Sequence, residues 1–154
     1  MKQVSLFVGS LLASSLCFAG TVVYTGPSNE KLTIEDVPKL GKKTALLKFD
    51  GFDSPWAGKV IQVEKESGSS GDSYFFNYEL ELSSGKIKKR YQIVTSAGYE
   101  LKNGSRVQKI KLYYQGMASA NNPPTLDYDE KLSKSSLPSL LPQHEKTPFK
   151  PDVD

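Results

Sequence analysis

An all-β fold is predicted, a small antiparallel β-barrel or sandwich of about seven strands followed by a disordered Pro-rich C-terminal tail. Three observations predict it. The stretch Ser73 to Gly116 holds three runs in which apolar and polar residues alternate with a period of two. That period marks a half-buried strand, because successive side chains point to opposite faces. Two Gly-containing turns, Ser84-Gly85 and Asn103-Gly104, join those runs and agree on which face is inner. No segment shows a long helical period, and six of the nine prolines lie beyond Gly116.

Taken in order, Thr21-Val-Val-Tyr-Thr25 is β-branched and aromatic and reads as a strand ended by Gly26-Pro27. Lys31 to Val37 alternates Leu32 and Ile34 with Thr33 and Glu35 and reads as the second strand. Pro38 to Lys43 is a loop and Thr44 to Phe49 the third strand. Asp50 to Gly58 forms a compact loop holding the only tryptophan, Trp56. Lys59 to Glu66 alternates Ile61 and Val63 with Gln62 and Glu64, and Ser67 to Asp72 is a flexible turn.

The meander comes next as residues 74–82, 86–95 and 106–114. Tyr74, Phe76, Tyr78, Leu80 and Leu82 share one face of its first run. A turn at Ser84-Gly85 pairs Tyr78 with Tyr91, Phe76 with Ile93, Glu81 with Lys88 and Glu79 with Arg90. Asn103-Gly104 is a strong hairpin signal and pairs Lys102 with Ser105, which puts Ile93 inward in both hairpins. Ser96-Ala97-Gly98 is the expected irregularity, a bulge or a bend.

Residues 1–19 read as a secretory signal peptide. Lys2 precedes an apolar run from Val4 to Leu16, and Cys17-Phe18-Ala19 supplies a cleavage site before Gly20. The expected organisation is therefore a signal at 1–19, a β domain at 20–116 and a disordered or loosely docked tail at 117–154. The expected location is periplasmic or secreted. Cleavage would remove the only cysteine, leaving no disulfide and no thiol chemistry. Residues 20–116 carry 15 basic and 11 acidic side chains, and the tail 4 and 6. Such a balance allows weak binding to anionic partners without requiring it. The expected partner is a protein or a cell-envelope polymer, with no nucleic acid, no membrane span and no cofactor.

Catalytic machinery is hard to assemble from these residues, so no catalytic or metal-binding residue is assigned and the chain is read as a non-enzyme. The single histidine, His144, lies in the tail, where it is expected to be solvated. Asp50 and Asp53 flank Phe52 near Trp56, an arrangement able to contact a sugar or hold calcium. They are the basis of an alternative reading as a carbohydrate- or calcium-binding protein or a glycan-active enzyme. The Lys86, Lys88, Lys89 and Arg90 cluster reads as a solvated face paired with Glu79 and Glu81. A further alternative is a structural subunit of an envelope assembly, docked through the tail.

Ser70-Gly-Asp-Ser-Tyr74 fits the pattern S-G-x-x-Y. On this motif the chain resembles bacterial periplasmic inhibitors of c-type lysozyme, which are small antiparallel β-barrels. Val22-Val-Tyr24 followed by Leu32 is similar to that family's first strands, and the resemblance covers roughly residues 21–98. It implies that Ser70 sits on a loop inserted into the lysozyme cleft, beside Gly71 and Tyr74. The chain departs from the family at Thr95-Ser-Ala-Gly98, which lacks the lysine of a second motif, and in having no cysteine pair. The expected function is partner binding by an exported β-domain, with Ser70, Gly71, Tyr74, Asp50, Asp53 and Trp56 as contact residues and a lysozyme-type hydrolase as the sharpest named partner.

Overall fold

The computed structural model describes residues 20–113 and 123–152. The expected signal peptide at 1–19, the last residue of the expected run 106–114 and the domain boundary at Gly116 lie outside the described residues. Eight strands close into an antiparallel barrel in chain order. They are β1 (Thr21–Thr25), β2 (Lys31–Asp36), β3 (Thr44–Asp50), β4 (Val60–Gly68), β5 (Gly71–Leu82), β6 (Gly85–Lys102), β7 (Ser105–Leu112) and β8 (Thr125–Tyr128). The architecture is a barrel rather than a sandwich. Closure removes the two open edges that an eight-stranded sheet would otherwise expose.

The eighth strand corrects the reading of the tail. Thr125–Tyr128 pairs with β7 through Ile110↔Leu126 and with β1 through Tyr24↔Tyr128. Leu126 is buried inside, so the tail supplies part of the core. Beyond β8 the chain wraps the outside of the barrel. Helix α1 (Glu130–Ser133) is capped by Asp129, whose carboxylate accepts the Leu132 amide at 2.8 Å, and Ser133 Oγ accepts the amide of Val23 at 2.8 Å. Helix α2 (Leu141–Lys146) lies on β4, where Gln143 donates to the Gly58 carbonyl at 2.8 Å. His144 is held there as well, with Nε2 3.0 Å from Gln62 Oε1, and is not a freely solvated residue.

The interior is apolar and aromatic. Leu32, Ile34, Leu47, Phe49, Ile61, Ile93, Ile110, Leu112 and Leu126 fill it, each essentially without solvent exposure. Residues 51–58 plug one end, with Phe52 and Trp56 each set edge-on to Phe49 at ring distances of 5.5 and 6.0 Å. Gly51 makes this plug possible. Its φ of +75° suits glycine, and a Cβ there would stand 2.6 Å from the Asn29 carbonyl oxygen. A second, smaller cluster sits on the outer surface, where Leu140 covers Val37, Leu46 and Val60. β3 is therefore buried on both faces at Ala45-Leu46-Leu47, which is why those residues show no alternation.

A split between strands and the arm beside it

The β4–β5 pairing runs only from Glu64↔Phe75 to Gly68↔Gly71. β5 continues for seven residues past this fork, from Phe76 to Leu82, paired with β6 alone among the described residues. β4 instead turns its earlier residues toward the C-terminal segment, and Ile61 forms a parallel bridge with Phe149. The β5–β6 hairpin thus projects from the barrel as a two-stranded arm. Polar side chains tie the fork. Asn77 Nδ2 donates to Glu64 Oε2 at 2.7 Å, and the Arg90 guanidinium lies 3.6 Å from Glu64 and 3.4 Å from Glu66. Arg90 also stacks over Phe75 at 3.9 Å.

The arm corrects the expected register by two residues. Its turn is Ser83-Ser84, closed by Leu82↔Gly85, and not Ser84-Gly85. Tyr78 therefore faces Lys89 and Phe76 faces Tyr91, while Glu79 lies opposite Lys88 and Asn77 opposite Arg90. A two-residue slip keeps every side chain on its face, so the inner row remains Tyr74, Phe76, Tyr78 and Leu80. The charge pairs change: Lys86 bonds Glu81 at 3.1 Å, and Arg90 leaves Glu79 for Glu64 and Glu66.

Beside the arm lies a cleft of about 930 Å³. It is bordered by Phe76 to Leu80 of β5, Lys88 to Arg90 of β6, and Lys150 to Asp152 of the C-terminal segment. Phe76 and Tyr78 stack within it, their rings nearly parallel at 8° and 6.1 Å apart. The base of the arm is braced from inside by Trp56, set edge-on to Tyr91 at 6.4 Å. Burial, with the neighbouring Tyr78, pushes the Tyr91 hydroxyl above its ordinary range. Among the described residues Lys88, Lys89, Lys150 and Glu79 make no ion pair, and with Asp152 also on the lining the three lysines outnumber the two carboxylates, so the cleft carries a modest excess of positive charge.

The residues nominated from sequence do not converge on this cleft or on each other. Ser70 is exposed in the Ser69-Ser70 turn at the far end of β5, roughly 25 Å along the strand from Tyr78. Ser96 Oγ donates to the Ser70 carbonyl at 2.6 Å, and Gly71, at φ +128°, has no room for a side chain against Ser96. Tyr74 is buried in the core. Its hydroxyl is pushed far up by burial and by the charges of Asp72 and Asp36. Trp56 is 2% exposed, so its ring is unavailable to stack on a sugar. Asp50 lies 3.7 Å from Lys48 and 4.0 Å from Lys31, while Asp53 is exposed in the plug loop. Among the described residues no three His, Cys, Asp or Glu side chains cluster as a metal site. No helix there is long and apolar enough to cross a membrane.

Sequence reasoning missed Lys150 and Pro151 as cleft residues and read Lys88 and Lys89 as part of a paired surface. The signal for the first was Phe149, an isolated aromatic among prolines whose ring packs against the main core. The chain matches no family model, no curated protein and no solved structure.

Proposed function

We propose that this chain is an exported, non-catalytic barrel that binds a macromolecular partner through the β5–β6 arm. The observation that carries the reading is the cleft beside the arm, where the half-buried Tyr78, stacked on the buried Phe76, lies among three lysines that make no ion pair among the described residues. Aromatic surface with a polar, cationic margin is what a recognition site needs, since the rings supply buried area and the charges supply orientation and steering. Leu82, 49% exposed, and Ile87, 37% exposed, extend the apolar surface toward the tip. The alternative built on Asp50 and Asp53 is disfavoured by the lysines that already neutralise Asp50 and by the burial of Trp56.

A photo-crosslinking amino acid placed at Leu82 in the producing cell tests this reading, with one at Leu40 as control. The expected result is a discrete adduct from Leu82 and none from Leu40. No adduct, or the same adducts from both positions, sinks the proposal.

A second reading, inhibition of a c-type lysozyme, is supported by the placement of its motif. Ser70 is exposed at a turn while Tyr74 anchors the strand behind it in the core. Full lysozyme activity in the presence of micromolar protein would remove this version and leave the first intact.

A further inference from the structure

The cleft follows an open strand edge. Five consecutive residues, Phe76 to Leu80, border it although they alternate between the two faces of β5. A groove touching both faces in sequence runs along the edge between them. On that side no described strand pairs with β5 beyond Phe75, so alternate residues turn an amide and a carbonyl into the groove. An edge of this kind is a template for an added strand.

We propose that the β5 edge from Phe76 to Leu82 takes up an extended acidic segment of a partner protein as an additional strand. This rests on the partner-binding reading above and specifies its mode. The backbone ladder selects a peptide, because an anionic glycan cannot return alternating donors and acceptors at the strand repeat of roughly 7 Å. Lys88, Lys89 and Lys150 select acidic side chains, since these three cations outnumber the carboxylates of Glu79 and Asp152 that also border the cleft. A second copy fits poorly. Two β5 edges paired antiparallel bring Glu79 or Glu81 against a carboxylate of the other copy in the registers centred on Glu79 or Leu80, and like charges across a ladder destabilise it. The chain's own C-terminal segment cannot complete the ladder either, since Pro148 and Pro151 have no amide hydrogen to donate.

The test titrates the isotope-labelled chain with a blocked octapeptide alternating Glu and Val. Three other probes accompany it: the Lys-for-Glu counterpart, the Glu peptide N-methylated at alternate amides, and polygalacturonate. The Glu peptide is expected to slow hydrogen exchange at alternate amides between Phe76 and Leu82. Replacing Lys88, Lys89 and Lys150 together by Ala, all exposed positions, is expected to weaken it about tenfold or more, and Glu79→Gln to tighten it. Unchanged amide shifts across β1 to β4 check that the variants remain folded. Equal binding by the N-methylated peptide, the Lys peptide or polygalacturonate overturns the proposal. So does protection of the same amides by self-association without peptide. A discrete Leu82 crosslink combined with no effect of the Glu peptide would leave the partner-binding reading standing and remove strand addition.

Discussion

The Glu35 carboxylate accepts the amide of Leu140 at 2.5 Å, and its other oxygen accepts the Ser139 hydroxyl at 2.7 Å. Two elements 105 positions apart are thereby joined, and the bond is buried beside Val37, Leu46 and Val60. Removing the acceptor leaves the Leu140 amide enclosed without its partner, which costs about 1–3 kcal/mol. Glu35→Ala is expected to lower stability by that amount and to release the amides of α2 from protection. Native-state hydrogen exchange of residues 140–147 reads both effects. Unchanged protection there would mean that packing of Leu140 alone holds the segment.

Alkaline titration probes the same barrel from inside. Burial, aided by the charge of Asp72, raises the Tyr24 hydroxyl to about 12. An unfolded tyrosine ionises near 10. The folded value is the higher one, so the contribution to stability is fully present below pH 10 and is lost as pH rises through about 12. Denaturant melts between pH 9 and pH 12 should show stability falling, with a smaller fall in Tyr24→Phe. An equal fall in both would assign the loss to other groups, the more deeply shifted Tyr74 first.

Acid acts on the strand that closes the barrel. Burial alone would raise the Asp127 carboxyl, but hydrogen bonding from Lys102 and the charges of Lys109 and Lys102 outweigh it and hold it below the usual carboxylate range. A depressed value in the folded state means stability that is present above roughly pH 4 and lost as pH falls through the folded value. Asp127→Asn should cost less than about 1 kcal/mol at neutral pH, because the pair is partly solvated, and should flatten the acid limb of the stability curve. An acid limb as steep as that of the unsubstituted chain would rule Asp127 out as its source.

Much of the barrel was legible because faces follow from alternation. β1 spans Thr21–Thr25 as its residues predict, and the register shift expected near Ser96-Ala97-Gly98 falls between Ser96 and Tyr99. The hairpin register was less legible for a physical reason. A slip of two residues leaves every side chain on its own face, so only the turn could decide it, and Ser83-Ser84 closes there with Gly85 at φ +126° opening β6. β8 escaped notice because it offers four residues between Pro124 and α1, with Leu126 as its one wholly buried side chain. The cleft was invisible for another reason. Where β4 and β5 part company depends on strand lengths and on Phe149 arriving from a distant segment, neither of which is written locally.

The inner and outer faces of the arm's root can be separated by two substitutions. Ile93 is fully buried among Ile110, Leu112 and Phe76, and the backbone ties this point to β7, since the Tyr113 amide donates to the Ile93 carbonyl at 2.7 Å. Truncation to Ala removes three carbons from a packed interior and opens a cavity, at a cost of about 2–5 kcal/mol. Glu79 lies on the opposite face of the hairpin, exposed and without an ion pair among the described residues, so Glu79→Ala should cost less than about 1 kcal/mol. Chemical denaturation of both variants under one condition gives the comparison. Equal losses would mean that the arm packs against something on its outer face, and a small loss for Ile93→Ala would mean that the core tolerates collapse around β6.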